Sequence, residues 1–116
     1  MKYLENNPPR KFKVGLEGSI ELKDYGKIYL DNNEQLTFVM KNGKEHDFAA
    51  KSWGFYVTPS INGRLKNFGL KTALIKNSFE KYYVVVVDPQ KMEKFEDYLN
   101  TEEQTVVQWL DEKLEF

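Results

Sequence analysis

Cysteine is absent from the sequence and histidine occurs once, as His46. The first absence excludes a disulfide scaffold and thiol chemistry, and together they leave no usual ligand set for a transition metal. No metal and no cofactor are expected. Long apolar runs are missing too: the longest extends only from Tyr82 to Val87, against the roughly 20 residues of a membrane helix. The start, Met1 to Pro9, has no apolar stretch of signal-peptide length and meets two prolines, which points to a cytoplasmic protein without membrane contact. A third absence is local, since no acidic residue occurs from Lys51 to Phe79. What remains suffices for one domain: 116 residues, 41% hydrophobic and 15% aromatic, with charges that nearly cancel to −1. Such a composition can bury a core and is unlike that of a disordered chain. We read residues 1–116 as a single domain, with 1–10 as a loosely ordered arm.

Apolar residues in the first half fall on even positions: Phe12, Val14, Leu16, Ile20, Leu22, Ile28, Leu30, Leu36, Phe38, Met40, Phe48 and Ala50. Period two over four segments predicts an antiparallel meander with one wet face. A loop at Asp24-Tyr25-Gly26 would set Leu22 opposite Ile28, and one around Asn32-Asn33-Glu34 would set Leu30 opposite Leu36. At Lys41-Asn42-Gly43 a three-residue loop keeps Phe38 and Leu36 on the face of His46 and Phe48, where a two-residue turn would not.

The period then changes. Thr58 and Pro59 read as a helix start, Ile61, Leu65 and Phe68 recur at helical spacing, and Gly69 reads as the stop. A second hairpin follows from Lys71 to Lys76 and from Tyr82 to Val87, whose unbroken apolar run predicts a central strand buried on both faces. Asp88-Pro89 opens a helix with Met92, Phe95 and Leu99 on one side. Thr101-Glu102-Glu103-Gln104 has capping-box spacing and predicts a last helix with Val106, Val107, Leu110 and Leu114 inward. The expected class is α+β: an antiparallel meander plus a second β-hairpin, with one short central helix and two C-terminal helices packed on the sheet.

Charge is separated along the chain, at +5 over residues 1–87 and −6 over 88–116. Lys51, Arg64, Lys66, Lys71 and Lys76 lie in the acid-free stretch together with Trp53, Phe55, Tyr56, Phe68 and Phe79, so positive potential meets stacking surfaces. Two readings stay open: a ligand surface, or a complement to the acidic C-terminal part. Within the stretch, Gly63 lies in the expected helix interior at about 1 kcal/mol relative to alanine. The candidate site consists of Thr58, Ser60, Asn62 and Arg64 at the expected helix start, holding an anion with free backbone N–H groups, with Trp53 or Tyr56 as a stacking wall. The alternative is that Thr58 and Ser60 cap the helix while Arg64 pairs with a C-terminal carboxylate.

Catalytic machinery is not evident. Glu45 and Asp47 point away from His46 on a strand, and no phosphate-binding loop, dinucleotide fingerprint or nucleophile elbow occurs. No catalytic residue is assigned.

The core Trp53-Gly54-Phe55-Tyr56, Thr58-Pro59-Ser60, Asn62, Arg64-Leu65, with Lys71-Thr72-Ala73-Leu74 and Val106-Val107-Gln108-Trp109-Leu110, resembles a group of small bacterial proteins associated with loci for surface-polysaccharide and nonulosonic-acid biosynthesis. The resemblance implies a cytoplasmic setting and anionic sugars or nucleotide-sugars as ligands. The expected function is a small binding or accessory protein that recognises a phosphorylated sugar or nucleotide-sugar through residues 53–64. The rivals are a single-stranded nucleic-acid binder, a small sugar-modifying enzyme and a protein–protein interaction module.

Overall fold

A computed structural model of the chain describes residues 1–114. It is mostly β, with 49% strand and 15% helix in three small sheets. The α+β expectation with two C-terminal helices is thereby corrected: a single helical stretch of 13 residues stands there. The chain divides into two compact units, one of residues 1–37 and 47–58, the other of residues 38–46 and everything from Pro59 onward.

In the first unit, β1 (Lys2–Val14) and β2 (Ile20–Tyr29) form a two-stranded antiparallel ribbon. Residues 1–10, expected as an arm, instead run largely within β1, with Lys2 to Glu5 paired to Tyr29 to Gly26. The hairpin expected at Asp24-Tyr25-Gly26 does not form. The chain turns earlier, where Gly18 N–H donates to Gly15 O, so Leu22 faces Phe12 and Ile28 faces Tyr3. Asp24 and Gly26, turn formers by composition, serve a bulge instead. The pairing shifts between Glu5 and Arg10, Asn6 Nδ2 donates to Asp24 O, and a Cβ on Gly26 would lie 2.0 Å from Leu4 O. Only glycine admits that close backbone approach.

The second sheet has the order β3 (Gln35–Val39), β4 (Glu45–Lys51), β5 (Gly54–Val57). Met40 N–H donates to Lys44 O and Gly43 N–H to Met40 O, closing a three-residue loop at Lys41-Asn42-Gly43 with Gly43 at φ 87°. β2 and β3 lie in different sheets, so the continuous four-strand meander is not built. The segment between them is used otherwise: Asn33, at φ 68°, donates its N–H to Ala50 O, and Ala50 N–H donates to Glu34 O.

The second unit holds the sheet β7 (Tyr82–Val87), β6 (Lys71–Lys76), β8 (Thr105–Trp109), in that order. β6 is central and β7 lies at the edge, the reverse of the expectation from the valine run. Apolarity reports that both faces favour burial, and says nothing about which strand supplies it. The core gathers Leu65, Leu70, Ala73, Ile75 and Val87. A 3₁₀ turn (Pro89–Lys91), capped by the Asp88 carboxylate on Gln90 N–H, leads into a helix (Met92–Thr101). Its Met92, Phe95 and Leu99 are half-buried, and Phe95 meets Trp109 edge-on at 6.0 Å.

The helix stops at Thr101 because Glu103 takes a left-handed conformation, φ 53°, with Gln104 N–H on Leu99 O and Glu103 N–H on Asn100 O. That is a Schellman-type ending. The capping-box residues therefore close one helix and do not open another. Beyond them Val106 and Trp109 are drawn into pairing with Ile75 and Ala73 of β6, where β-branched residues fit a pleated surface.

Candidate ligand-binding face

The polar face of the β3–β4–β5 sheet carries an open cavity of about 340 Å³ lined by Asn33, Gln35, Ala49, Lys51, Tyr56 and Thr58. All six belong to the first unit. Register explains the assembly: Ala49 faces Tyr56 and Lys51 faces Gly54, so odd positions of β4 and even positions of β5 share a face. On the other face lie Phe48, Ala50, Phe55 and Val57. Ala49 gives the cavity a low floor because its side chain is a methyl group.

The β4–β5 turn is fixed by two asparagines. Ser52 N–H donates to Asn32 Oδ1 at 2.9 Å, and Lys51 Nζ donates to Asn33 Oδ1 at 2.7 Å. Lys51 is held in place by a neutral acceptor, and an ammonium carries three donors, so two remain for a ligand. Trp53 stands at the tip of this turn, largely exposed, with its ring edge-on to Tyr56 at 6.3 Å and 74°. Toward the opposite end Asp47 is buried, accepts from Thr37 Oγ1 at 2.8 Å, and takes Thr58 N–H on its backbone oxygen. The face thus runs from a cation at Lys51, past an aromatic ring and a carboxamide, to a hydroxyl beside a carboxylate.

Of the sequence-derived candidates, Trp53, Tyr56 and Thr58 lie in this unit, whereas Ser60, Asn62 and Arg64 lie in the other. The expected helix from Thr58 is not formed. What exists is a one-turn helix, Arg64–Asn67, ended at Gly69 and Leu70 by bonds to Lys66 O and Leu65 O. Ser60 Oγ accepts Arg64 N–H at 2.8 Å, and a Cβ on Gly63 would lie 2.5 Å from that oxygen. The glycine is explained by the Ser60 hydroxyl turned onto the start of this helix. Asn62 is exposed, and the Arg64 guanidinium lies 5.9 Å from the Phe68 ring centre.

The basic stretch also finds the acidic C-terminal part. Lys71 Nζ donates to Asp111 Oδ2 at 2.9 Å, approaches Glu112 at 3.5 Å and lies 4.9 Å over the Trp109 ring. Asp111 raises the Lys71 pKa. Burial opposes ionisation of Asp111, but Lys71 and Thr72 N–H outweigh it and hold the carboxyl below its ordinary range. In the same unit Asp88 is held low by Lys44 at 2.7 Å, with Gln90 N–H and Asn42 Nδ2 adding to the effect.

Among the described residues no three His, Cys, Asp or Glu side chains gather into a metal-holding group, and no helix is long and apolar enough to cross a membrane. Asn33, Gln35 and Ala49 escaped the sequence reading, although their odd parity places them with Lys51 on the face expected to be wet. The missing link was β5, signalled only by Gly54-Phe55-Tyr56-Val57. No protein-family model, curated protein or solved structure matches the chain.

Proposed function

We propose that the chain is a small binding protein whose β3–β4–β5 polar face takes a single anionic sugar, phosphorylated or carboxylate-bearing. The observation that carries this reading is the Lys51 ammonium, fixed by Asn33 and unpaired with any carboxylate among the described residues, beside Tyr56 and the Gln35 carboxamide. An anionic group fits the Lys51 end, sugar hydroxyls fit Gln35 and Thr58, and a ring face fits Tyr56. The volume lies at the small end of ligand pockets, which favours one sugar unit over a nucleotide-sugar. The resemblance to proteins of polysaccharide loci supports the same ligand class, and a cytoplasmic setting belongs to that reading.

A calorimetric titration of hexose phosphates and sialic-acid-type sugars into wild type, Lys51→Met and Arg64→Ala tests it. Binding lost in Lys51→Met and kept in Arg64→Ala supports this face. Binding lost only in Arg64→Ala refutes it, as does tighter, steeply salt-dependent binding of single-stranded RNA.

A further inference from the structure

β7 has the sequence of a strand buried on both sides and the position of an edge. Tyr82-Tyr83-Val84-Val85-Val86-Val87 contains no charge and no proline, and its register with β6 runs unbroken from Lys71–Val87 to Lys76–Tyr82. Exposed edges of this kind are normally blunted by charges, prolines, bulges or shortness. The other edges in this chain are so treated. β1 and β2 carry charges throughout, β8 has five residues and shifts its register with β6 opposite Leu74 and Ile75, and β3 and β5 have five and four residues. On β7, Tyr82 is 60% and Val84 65% exposed.

We propose that β7 is the interface of a homodimer, pairing antiparallel with β7 of a second copy about a twofold axis at Val84. The register follows from hydrogen-bond phase. Asn77 N–H donates to Lys81 O, which makes 77–81 a hydrogen-bonded pair, and such pairs alternate along an antiparallel ladder. Lys81, Tyr83, Val85 and Val87 therefore turn their backbone groups toward β6, and Tyr82, Val84 and Val86 turn theirs outward. Leu110 N–H on Thr72 O agrees, since it shows Thr72, the partner of Val86, facing away from β7. Two such edges mesh when outward residues meet outward residues: Val84 with Val84 of the second copy, and Tyr82 with Val86 on either side. All outward donors and acceptors of the three residues are then satisfied, and the exposed stripe Tyr82, Val84, Val86 becomes continuous across six strands.

The area sets the strength. With roughly 200 Å² per tyrosine side chain, Tyr82 at 60% and Tyr83 at 49% exposure together with Val84 and Val86 leave about 400 Å² on each copy. Side chains on the two faces stay partly exposed after edge pairing, so the pair would bury at most about 800 Å², under the roughly 1,200 Å² of stable interfaces, and association is weak and concentration-dependent.

The test is sedimentation velocity from about 10 μM to about 1 mM on wild type, Val84→Lys, Val84→Glu and an equimolar mixture of the two variants. Wild type is expected to shift from monomer to dimer. Each variant alone stays monomeric, because like charges meet on the axis, and the mixture recovers the dimer. Hydrogen exchange of wild type gives a second reading that needs no variant: the Tyr82, Val84 and Val86 amides gain protection as concentration rises. A monomer throughout, a mixture no more associated than its parts with both variants folded by circular dichroism, or unprotected β7 amides at the highest concentration overturns the proposal.

Discussion

Lys51 and Lys71 are drawn from the same acid-free stretch, yet they are held in opposite ways. Lys71 is enclosed by Asp111, Glu112 and the Trp109 ring, and the Asp111 carboxylate has no exposed side-chain surface. Lys51 is fixed by an amide oxygen and has no carboxylate partner among the described residues. A cation locked to a buried anion ties β6 to the residues just beyond β8. A cation oriented by a neutral group keeps its charge available. The run of basic residues therefore divides: Lys71 is an internal complement to the acidic C-terminal part, while Lys51 keeps its charge for the ligand proposed above.

The contrast between the two lysines breaks most severely at Lys71. Lys71→Met leaves Asp111 buried without its cation and is expected to lower stability by about 3 kcal/mol, read by urea denaturation. Lys51→Met is expected to cost under about 1 kcal/mol in the same assay while weakening sugar binding at least about tenfold by calorimetry. Equal stability losses would erase the distinction.

Gly63→Ala forces a methyl group against Ser60 Oγ and is expected to cost about 1–3 kcal/mol. Combined with Ser60→Gly the added methyl should be tolerated far better, and additive losses in a double-mutant cycle would show that the contact is not the cause.

Acid provides a finer test. Asp88 and Asp111 titrate below the ordinary aspartate value of 3.8 when folded, so their contribution is present above that value and is lost as pH falls through the lowered ones. Asp111→Asn should flatten the fall in melting temperature on acidification. For Lys71 the sign reverses, with its contribution lost only as pH rises through a value above 10.5.

Local patterns read well where neighbours in sequence decide the outcome. The loop at Lys41-Asn42-Gly43, the hairpin of β6 and β7, the Gly69 stop and the inward side of the Met92–Thr101 helix all follow from short-range chemistry. Residues whose partners lie far away did not. Gly26 answers to Leu4 across the ribbon, Glu103 ends a helix where capping-box spacing predicts a start, and Val106 and Trp109 take strand geometry because β6 offers a free edge. The candidate face shows the same division. Tyr56 and Thr58 were visible in a suspicious segment, whereas Asn33, Gln35 and Ala49 join them only through the register of β3, β4 and β5.

The most direct test is an amide chemical-shift map of the ¹⁵N-labelled protein titrated with a hexose phosphate, repeated on Lys51→Met. Shifts are expected to be confined to Asn33, Gln35, Ala49, Lys51, Tyr56 and Thr58 and their neighbours, and to be abolished in the variant. Shifts centred on Ser60 to Arg64, or a response that Lys51→Met leaves intact, would contradict it.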